Sequence, residues 1–380
     1  MAELTGKIKT LGRLMNAKSQ ITIPLVQPIQ ACFRIVMREE EMDFLIRVGE
    51  HRMTREQLCA LYGRSAAEFD AFFGDILSKS LMWKKGDGYE LAPIFPGWIE
   101  IYGGGSLDDP DRQRMMREFS AFEDWLSRLN IPPVRAYMNY VNSRKIERQP
   151  ARISVSVSRG KKSVELNEPI TAEQAVATAG EILPLLARHA DELAVMNCFC
   201  RALKQTQGES CSFGLPLEGC MAVGPLSRQV AESGIGRKIT LEQAQRMIAE
   251  FEQKGCIHTM YHYGMNTDQE EIAICNCCVD CCFLYHGYRS GSLSQILAKS
   301  YYLPEIVDES ACVGCGRCGT YCPTQATWYD RGARKLRFDP QACIGCGQCV
   351  TQCAFPVRVL RRSERQVFVK TKAKRSAAHA

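Results

Sequence analysis

The 380-residue chain has no uncharged apolar run approaching the roughly 18 residues that a membrane-spanning helix needs. Its first thirty residues carry Lys7, Lys9, Arg13 and Lys18 with no apolar stretch between them and no Arg-Arg pair, so no secretory leader or twin-arginine signal is expected. No GxGxxG stretch, phosphate loop or Ser/His/Asp arrangement stands in a credible context, and Gly103, Gly104 and Gly105 read as linker, so nucleotide and flavin binding are not expected. Cysteine is the opposite case. There are twenty, eighteen of them after residue 190, mostly in short-spaced groups. Neighbours such as Cys277-Cys278 and Cys281-Cys282 are poor bridge-formers with each other, which favours metal-bound thiolates in a reducing compartment, with the cytoplasm as the expected location.

Formal net charge is +6, but residues 357–380 hold eight Lys or Arg and one Glu, which leaves −1 for the rest of the chain. The basicity therefore belongs to a tail, taken as residues 358–380. A solvated extension is the ordinary reading; docking onto an acidic partner, nucleic acid or an anionic membrane is the alternative.

Residues 39–92 read as three helices and a hairpin. An apolar-rich stretch from residue 39 to 48 is followed by Thr54-Arg55-Glu56-Gln57 and Ser65-Ala66-Ala67-Glu68, both of capping-box form. Two short strands then flank Gly86-Asp87-Gly88. This order resembles a winged-helix domain, placed at residues 1–105. A DNA-reading version needs basic residues on its third helix to meet phosphate, yet between residues 66 and 79 Glu68, Asp70 and Asp75 face Lys79 alone. Arg52, Arg55, Arg64, Lys84 and Lys85 are the only support for that version, so a protein-contact or structural role is expected and nucleic acid is not. A helical connection at 106–149 follows, with a charged helix from about Pro110 stopped by Pro132-Pro133. Residues 150–300 read as an α+β domain: residues 152–158 alternate as a half-buried strand, and Thr171-Ala172-Glu173-Gln174 and Thr240-Leu241-Glu242-Gln243 open helices, the second ending at Gly255.

Cys312-x2-Cys315-x2-Cys318-x3-Cys322-Pro323 repeats thirty-one residues later as Cys343-x2-Cys346-x2-Cys349-x3-Cys353. The repeat also matches Asp308 with Asp339, Ala311 with Ala342, Thr320 with Thr351 and the glycines Gly314 and Gly316 with Gly345 and Gly347, so the segment is an internal duplication. A zinc ribbon needs only paired Cys-x2-Cys, and the third cysteine and x3 spacing argue against it. Residues 301–357 resemble the bacterial-type ferredoxins that hold two 4Fe-4S clusters, where the last cysteine of each motif ligates the other cluster. That resemblance implies one cluster on Cys312, Cys315, Cys318 and Cys353 and another on Cys343, Cys346, Cys349 and Cys322. Ala354 stands where proline follows the last cysteine in the first repeat, which makes the second loop the less regular one.

A second constellation comprises Cys198, Cys200, Cys211, Cys220, Cys275, Cys277, Cys278, Cys281 and Cys282. With Gly234-Ile235-Gly236-Arg237 it resembles the central region of 4Fe-4S dicluster proteins from anaerobes, a resemblance that informs architecture more than activity. A Cys-x-Cys pair does not readily close on itself, so these cysteines are shared between sites or divided into ligands and spectators. One additional iron-sulfur cluster is the favoured reading, with buried small hydrophobes as the alternative. Arg201 beside the first pair would lower thiolate pKa values. His258, His262 and His286 are candidates for a mixed Cys/His site; Cys32, Cys59 and Cys256, Met115-Met116, and Tyr261, His262 and Tyr263 read as packing.

The expected fold class is thus α+β and multidomain. The expected function is electron relay through two 4Fe-4S clusters to or from a redox partner protein, as a component of an oxidoreductase system more than a stand-alone enzyme. The alternatives are an oxidoreductase or activase using a third, central cluster, and an iron-sulfur transcriptional sensor.

Overall fold

The computed structural model describes residues 2–19, 22–129, 179–262, 271–291, 299–300 and 302–363, with short pieces at 131–134, 136–137, 140, 152–153, 158–159 and 162–163. The capping box expected at residues 171–174, residues 154–157 of the expected strand, Tyr263, and residues 364–380 of the basic tail lie outside the described residues.

The chain opens with helices α1 (Ala2–Lys18), α2 (Gln27–Val36), α3 (Glu39–Val48), α4 (Arg55–Tyr62) and α5 (Ala66–Ser78), then the antiparallel hairpin β1 (Met82–Lys85) and β2 (Gly88–Leu91). Both capping boxes form. Thr54 accepts from the Gln57 N–H while Gln57 reaches back to Thr54, and Ser65 and Glu68 do the same, so each helix start satisfies donors that the helix itself leaves unpaired. Gly63 ends α4 in the left-handed region, as its position between two helices requires. The aromatic faces of α3, α4 and α5 meet in one stack, with Tyr62 lying flat on Phe72 at 4.5 Å and Phe44 edge-on to Phe72 at 5.1 Å.

Helix α6 (Ile99–Gly103) leads to α7 (Pro110–Arg128), started by Asp109, whose carboxylate accepts from the Asp111 and Arg112 N–H groups. The glycines between them do not behave as a linker. Gly103, Gly104 and Gly105 are buried: a Cβ on Gly103 would meet the Phe199 ring at 2.6 Å, and Gly104 O accepts from Asn197 N at 3.0 Å. The absent side chains let the N-terminal segment approach the central sheet closely.

That sheet has six strands, all antiparallel, in the order β3 (Arg152–Ile153), β9 (Ile257–His262), β10 (Glu271–Cys277), β7 (Glu218–Val223), β6 (Leu193–Asn197) and β8 (Arg237–Lys238). A separate small hairpin pairs β4 (Ser158–Arg159) with β5 (Lys162–Ser163). One face packs on α8 (Ala179–Arg188) and α11 (Leu241–Gln253) through Ile182, Leu186, Val195, Met221 and Ile248. The other carries α9 (Phe199–Thr206), α10 (Pro225–Glu232) and α12 (Phe283–Ser290) and shares one continuous core with the N-terminal helices. Phe119 of α7 meets both Phe199 and Phe283, and Gln229 of α10 donates to Met82 O at 2.7 Å. Full burial of a side chain such as Phe119 or Trp98 contributes about 2 to 3 kcal/mol.

The C-terminal module is built on two short ladders, β11 (Tyr302–Ile306) with β14 (Arg358–Arg362) and β12 (Thr327–Asp330) with β13 (Lys335–Phe338). The duplication seen in sequence is also one of structure. Asp308 Oδ1 accepts from the Ser310 and Ala311 N–H groups, and Asp339 Oδ1 from Gln341 and Ala342. Gly316 and Gly347, with φ of 75° and 78°, start the matching one-turn helices α13 (Arg317–Thr320) and α14 (Gln348–Thr351). Among the described residues no helix is long and apolar enough to cross a membrane.

Candidate metal centres

In β10 successive side chains alternate, so Cys275 and Cys277 share one face and Asn276 takes the other. Cys220 lies directly opposite Cys275 across the β7–β10 ladder, with the sulfurs 3.7 Å apart. Cys198 and Cys282 occupy the N-cap positions of α9 and α12, where helix dipoles favour thiolate, although burial pushes the Cys282 thiol well above its ordinary range. Cys200 sits one residue into α9, and its sulfur accepts from the Phe283 N–H at 3.4 Å. These six thiols close a ring. Cys220 and Cys275 are in direct contact, and the rest influence one another's acidity in turn: Cys198 with Cys200 and Cys220, Cys275 with Cys277, Cys277 with Cys282, and Cys282 with Cys200.

The contacts split the ring's acidities. Cys198 and Cys277 are held well below the ordinary thiol range, chiefly by Cys200 and Cys275 respectively. Cys200 and Cys220 are pushed well above it, each mainly by Cys198, and Cys275 mainly by Cys220. A cavity of about 350 Å³ opens on the ring and is lined by all six thiols. Its opposite wall comes from the N-terminal segment and includes Lys18, Trp83, Lys85, Glu90 and Glu100.

The other three central cysteines form a second group. The sulfurs of Cys211, Cys278 and Cys281 all lie within 4.8 Å of one another, Cys211 to Cys278 at 3.8 Å. Cys281 N donates to Cys278 Sγ at 3.3 Å, and Asp280 ties the two loops together by accepting from Ser212 N at 2.8 Å and Lys204 Nζ at 2.7 Å.

Arg201 is buried behind both groups. It donates to Asn276 O at 2.5 Å and Pro216 O at 2.8 Å and lies over the Phe251 ring. Burial alone would weaken its charge, but Cys198, Cys256, Cys278 and Cys220 outweigh that and raise its pKa. Asn276 in turn donates to Gly219 O at 2.7 Å and pairs with His258 Nδ1 at 2.6 Å. His258 is thereby engaged in the sheet, with burial lowering its pKa to about 4. Neither it nor His262 or His286 belongs to the three-thiol group. Cys32, as expected, is a packing residue, wholly buried with its thiol pointed at Met115 O.

In the C-terminal module, Cys322, Cys343, Cys346 and Cys349 are buried and line one small cavity. Two backbone donors point at them, Ala326 N to Cys322 Sγ at 3.1 Å and Gly345 N to Cys343 Sγ at 3.3 Å. Amide donors of this kind fit sulfur that carries negative charge. The other set lies nearer the surface: Cys315 is exposed, while Cys312, Cys318 and Cys353 are half-buried.

Arg358 was counted by sequence as the start of a solvated tail. It lies instead buried in β14, beside Cys318 of one motif and Cys349 of the other. Its Nη1 and Nη2 have no well-aligned hydrogen-bond partner among the described residues. A buried cation with unsatisfied donors is costly unless negative charge stands against it, and an anionic cluster on these thiolates would supply that charge. The residues present therefore fit iron-sulfur clusters in this module.

Two aromatic bridges, which no motif announced, join this module to the central domain. Tyr285 lies close enough to Cys277, Cys282 and Cys346 that all three raise its pKa after burial itself. Phe213, two residues past Cys211, meets Tyr321, the neighbour of Cys322, with ring centroids 5.2 Å apart. Only the tertiary fold makes either visible.

Comparison with curated proteins and with solved structures found no match. One family model does match, and it covers the duplicated motif: residues 305–354 correspond to the 4Fe-4S dicluster domain.

Proposed function

We propose that the protein relays electrons through two 4Fe-4S clusters in its C-terminal module, one on Cys312, Cys315, Cys318 and Cys353 and one on Cys343, Cys346, Cys349 and Cys322, to a third iron-sulfur centre held by the central ring of six thiols. The observation that carries this reading is the cavity shared by Cys322, Cys343, Cys346 and Cys349, which draws its cysteines from both repeats. The cluster on Cys315 is the external port. Exposed Val313 and Trp328 lie in its surroundings and offer an apolar surface to a redox partner protein. The buried cluster faces inward, where Tyr285 stands against Cys346 on one side and the ring on the other.

Residues 39–92 are read as a winged-helix-like unit that contacts a protein partner. The exposed acidic side chains Glu68 and Asp70 on its third helix disfavour phosphate. A cytoplasmic location accords with unbridged cysteines throughout the described chain. A second reading, reduction of a small molecule at the ring, is favoured by the 350 Å³ cavity, whose far wall reaches well beyond the thiols to Lys18 and Lys85.

The test is iron and acid-labile sulfide per chain, with EPR of the reduced state, on protein purified without oxygen. Two cubanes account for about eight irons, and a third centre raises the number. Fewer than eight, with no cubane EPR signal, would remove the electron-relay reading.

A further inference from the structure

The nine central cysteines fall into two groups, and in only one of them are three sulfurs mutually close. The six ring thiols line the 350 Å³ cavity, and so do Cys278 and Cys281, whereas Cys211 does not. The sulfurs of Cys211, Cys278 and Cys281 all lie within 4.8 Å of one another, and the Cys211 to Cys278 distance is 3.8 Å. A tetrahedral ion bound by thiolates at about 2.3 Å places neighbouring sulfurs about 3.8 Å apart. In a cubane each terminal thiolate binds its own iron, so three sulfurs are not all mutually close. The ring has one close pair, Cys220 and Cys275 at 3.7 Å, but among the described residues only Cys211, Cys278 and Cys281 bring three thiols within 4.8 Å of one another. The C-terminal module has no such three-thiol group among its described residues.

We propose that Cys211, Cys278 and Cys281 form a separate site for one divalent ion, of the zinc class, with its fourth position open to solvent. This rests on the iron-sulfur reading only in removing these three cysteines from the ligands of the central cluster. The site is built as thiolate sites are. Cys278-x2-Cys281 folds as a knuckle whose Cys281 N–H donates to the first sulfur at 3.3 Å. Backbone groups of Leu215 and Phe213 lie against the Cys211 sulfur. Asp280, engaged by Ser212 and Lys204, holds the Cys211 loop over the knuckle. Cys211 is half-buried, so the fourth position faces the surface, where water or an exogenous thiol or carboxylate completes the tetrahedron. The Phe213 ring sets this ion beside Tyr321 and hence beside the C-terminal module, where it fixes the joint between the two.

The experiment measures zinc, iron and sulfide together on the full chain, purified without oxygen and without chelators, as wild type and as Cys211→Ser and Cys281→Ser. One zinc per chain is expected in the wild type. Each variant is expected to lose most of it while iron and sulfide stay at the wild-type level. Protein loaded with cobalt(II) alone is expected to show tetrahedral thiolate charge-transfer absorption, falling by about one third when a serine replaces one of three thiolates. Cys211→Asp, which restores an anionic ligand, is expected to recover zinc. Two outcomes overturn the proposal: wild-type protein with neither zinc nor a cobalt spectrum, or a Cys211→Ser variant that sheds iron and sulfide instead of zinc. A zinc-replete chain without iron would instead sink the electron-relay reading and leave this site standing.

Discussion

The guanidinium of Arg358 lies against the thiol of Cys349 and also within electrostatic reach of Cys318, so one buried positive charge serves both C-terminal motifs. Burial pushes the Cys349 thiol up to about 12, and Arg358 pulls the other way. A positive charge favours the reduced, more negative form of a cluster. Arg358→Met is therefore expected to lower both cluster potentials, by an amount on the order of tens of millivolts. Arg358→Lys should retain part of the effect. Redox titration followed by EPR reads both potentials; unchanged values in the Met variant would remove Arg358 from the tuning of the clusters.

The two motifs differ in burial, and their cysteines should differ in what their loss does. Cys315 is exposed, whereas Cys346 packs in the core shared by Tyr285 and Ile344. Cys315→Ser is expected to destroy or convert one cluster, with a loss of about one to four irons, and to leave thermal unfolding of the helical N-terminal region unchanged. Cys346→Ser should cost the same iron and also lower the unfolding temperature of the whole chain, since the cluster it supports braces the central domain. Iron analysis with circular dichroism melts separates the two, and equal melts for both variants would contradict the inward placement of the second cluster.

What the sequence disclosed and what it withheld follow one physical division. The Cys-x2-Cys-x2-Cys repeats, the glycines at positive φ and the capping boxes at Thr54 and Ser65 are local: their meaning is complete within a few residues, and each was legible. The ring required knowing that Cys220 stands opposite Cys275 in an antiparallel ladder and that two helices start beside it. No spacing in the chain encodes that register. Gly103, Gly104 and Gly105 misled because a tight interdomain packing site and a linker both select glycine, for lack of room in one and freedom in the other. Arg358 misled because its neighbours in sequence are basic and its neighbours in space are thiols.

Glu100 gives a prediction about pH. Its Oε2 accepts from Gly97 N at 2.8 Å, and burial raises its pKa from 4.5 to about 8. Near neutral pH the folded chain keeps this carboxyl protonated while the unfolded chain ionises it, so unfolding releases a proton. The stability it contributes is present below pH 4.5 and is lost as pH rises toward 8, beyond which the slope vanishes. Glu100→Gln keeps the acceptor and removes the titration. The variant is expected to be more stable than wild type at pH 8, with the gap closing as pH falls toward 5. Denaturant melts across that range decide it, and a gap independent of pH would assign Glu100 a purely structural role.

The contact of Phe213 with Tyr321 is the most exposed test of how the C-terminal module is joined to the rest. Tyr321 is confined on its other side by Gly255, where a Cβ would meet the ring at 2.3 Å and where φ is +83°. The ring is thus held between a loop that carries Cys211 and a helix terminus that accepts only glycine. An edge-to-face pair contributes about 0.5 to 1.5 kcal/mol beyond its buried area, so Tyr321→Ala should destabilise the joint without unfolding either side. After rapid reduction of the C-terminal clusters, electron arrival at the central centre is expected to slow several-fold in Tyr321→Ala and to stay near the wild-type rate in Tyr321→Phe, which keeps the ring. Gly255→Ala should act like Tyr321→Ala through displacement of the same ring. If both alanine variants transfer electrons at the wild-type rate, the coupling between module and centre runs through Tyr285 alone.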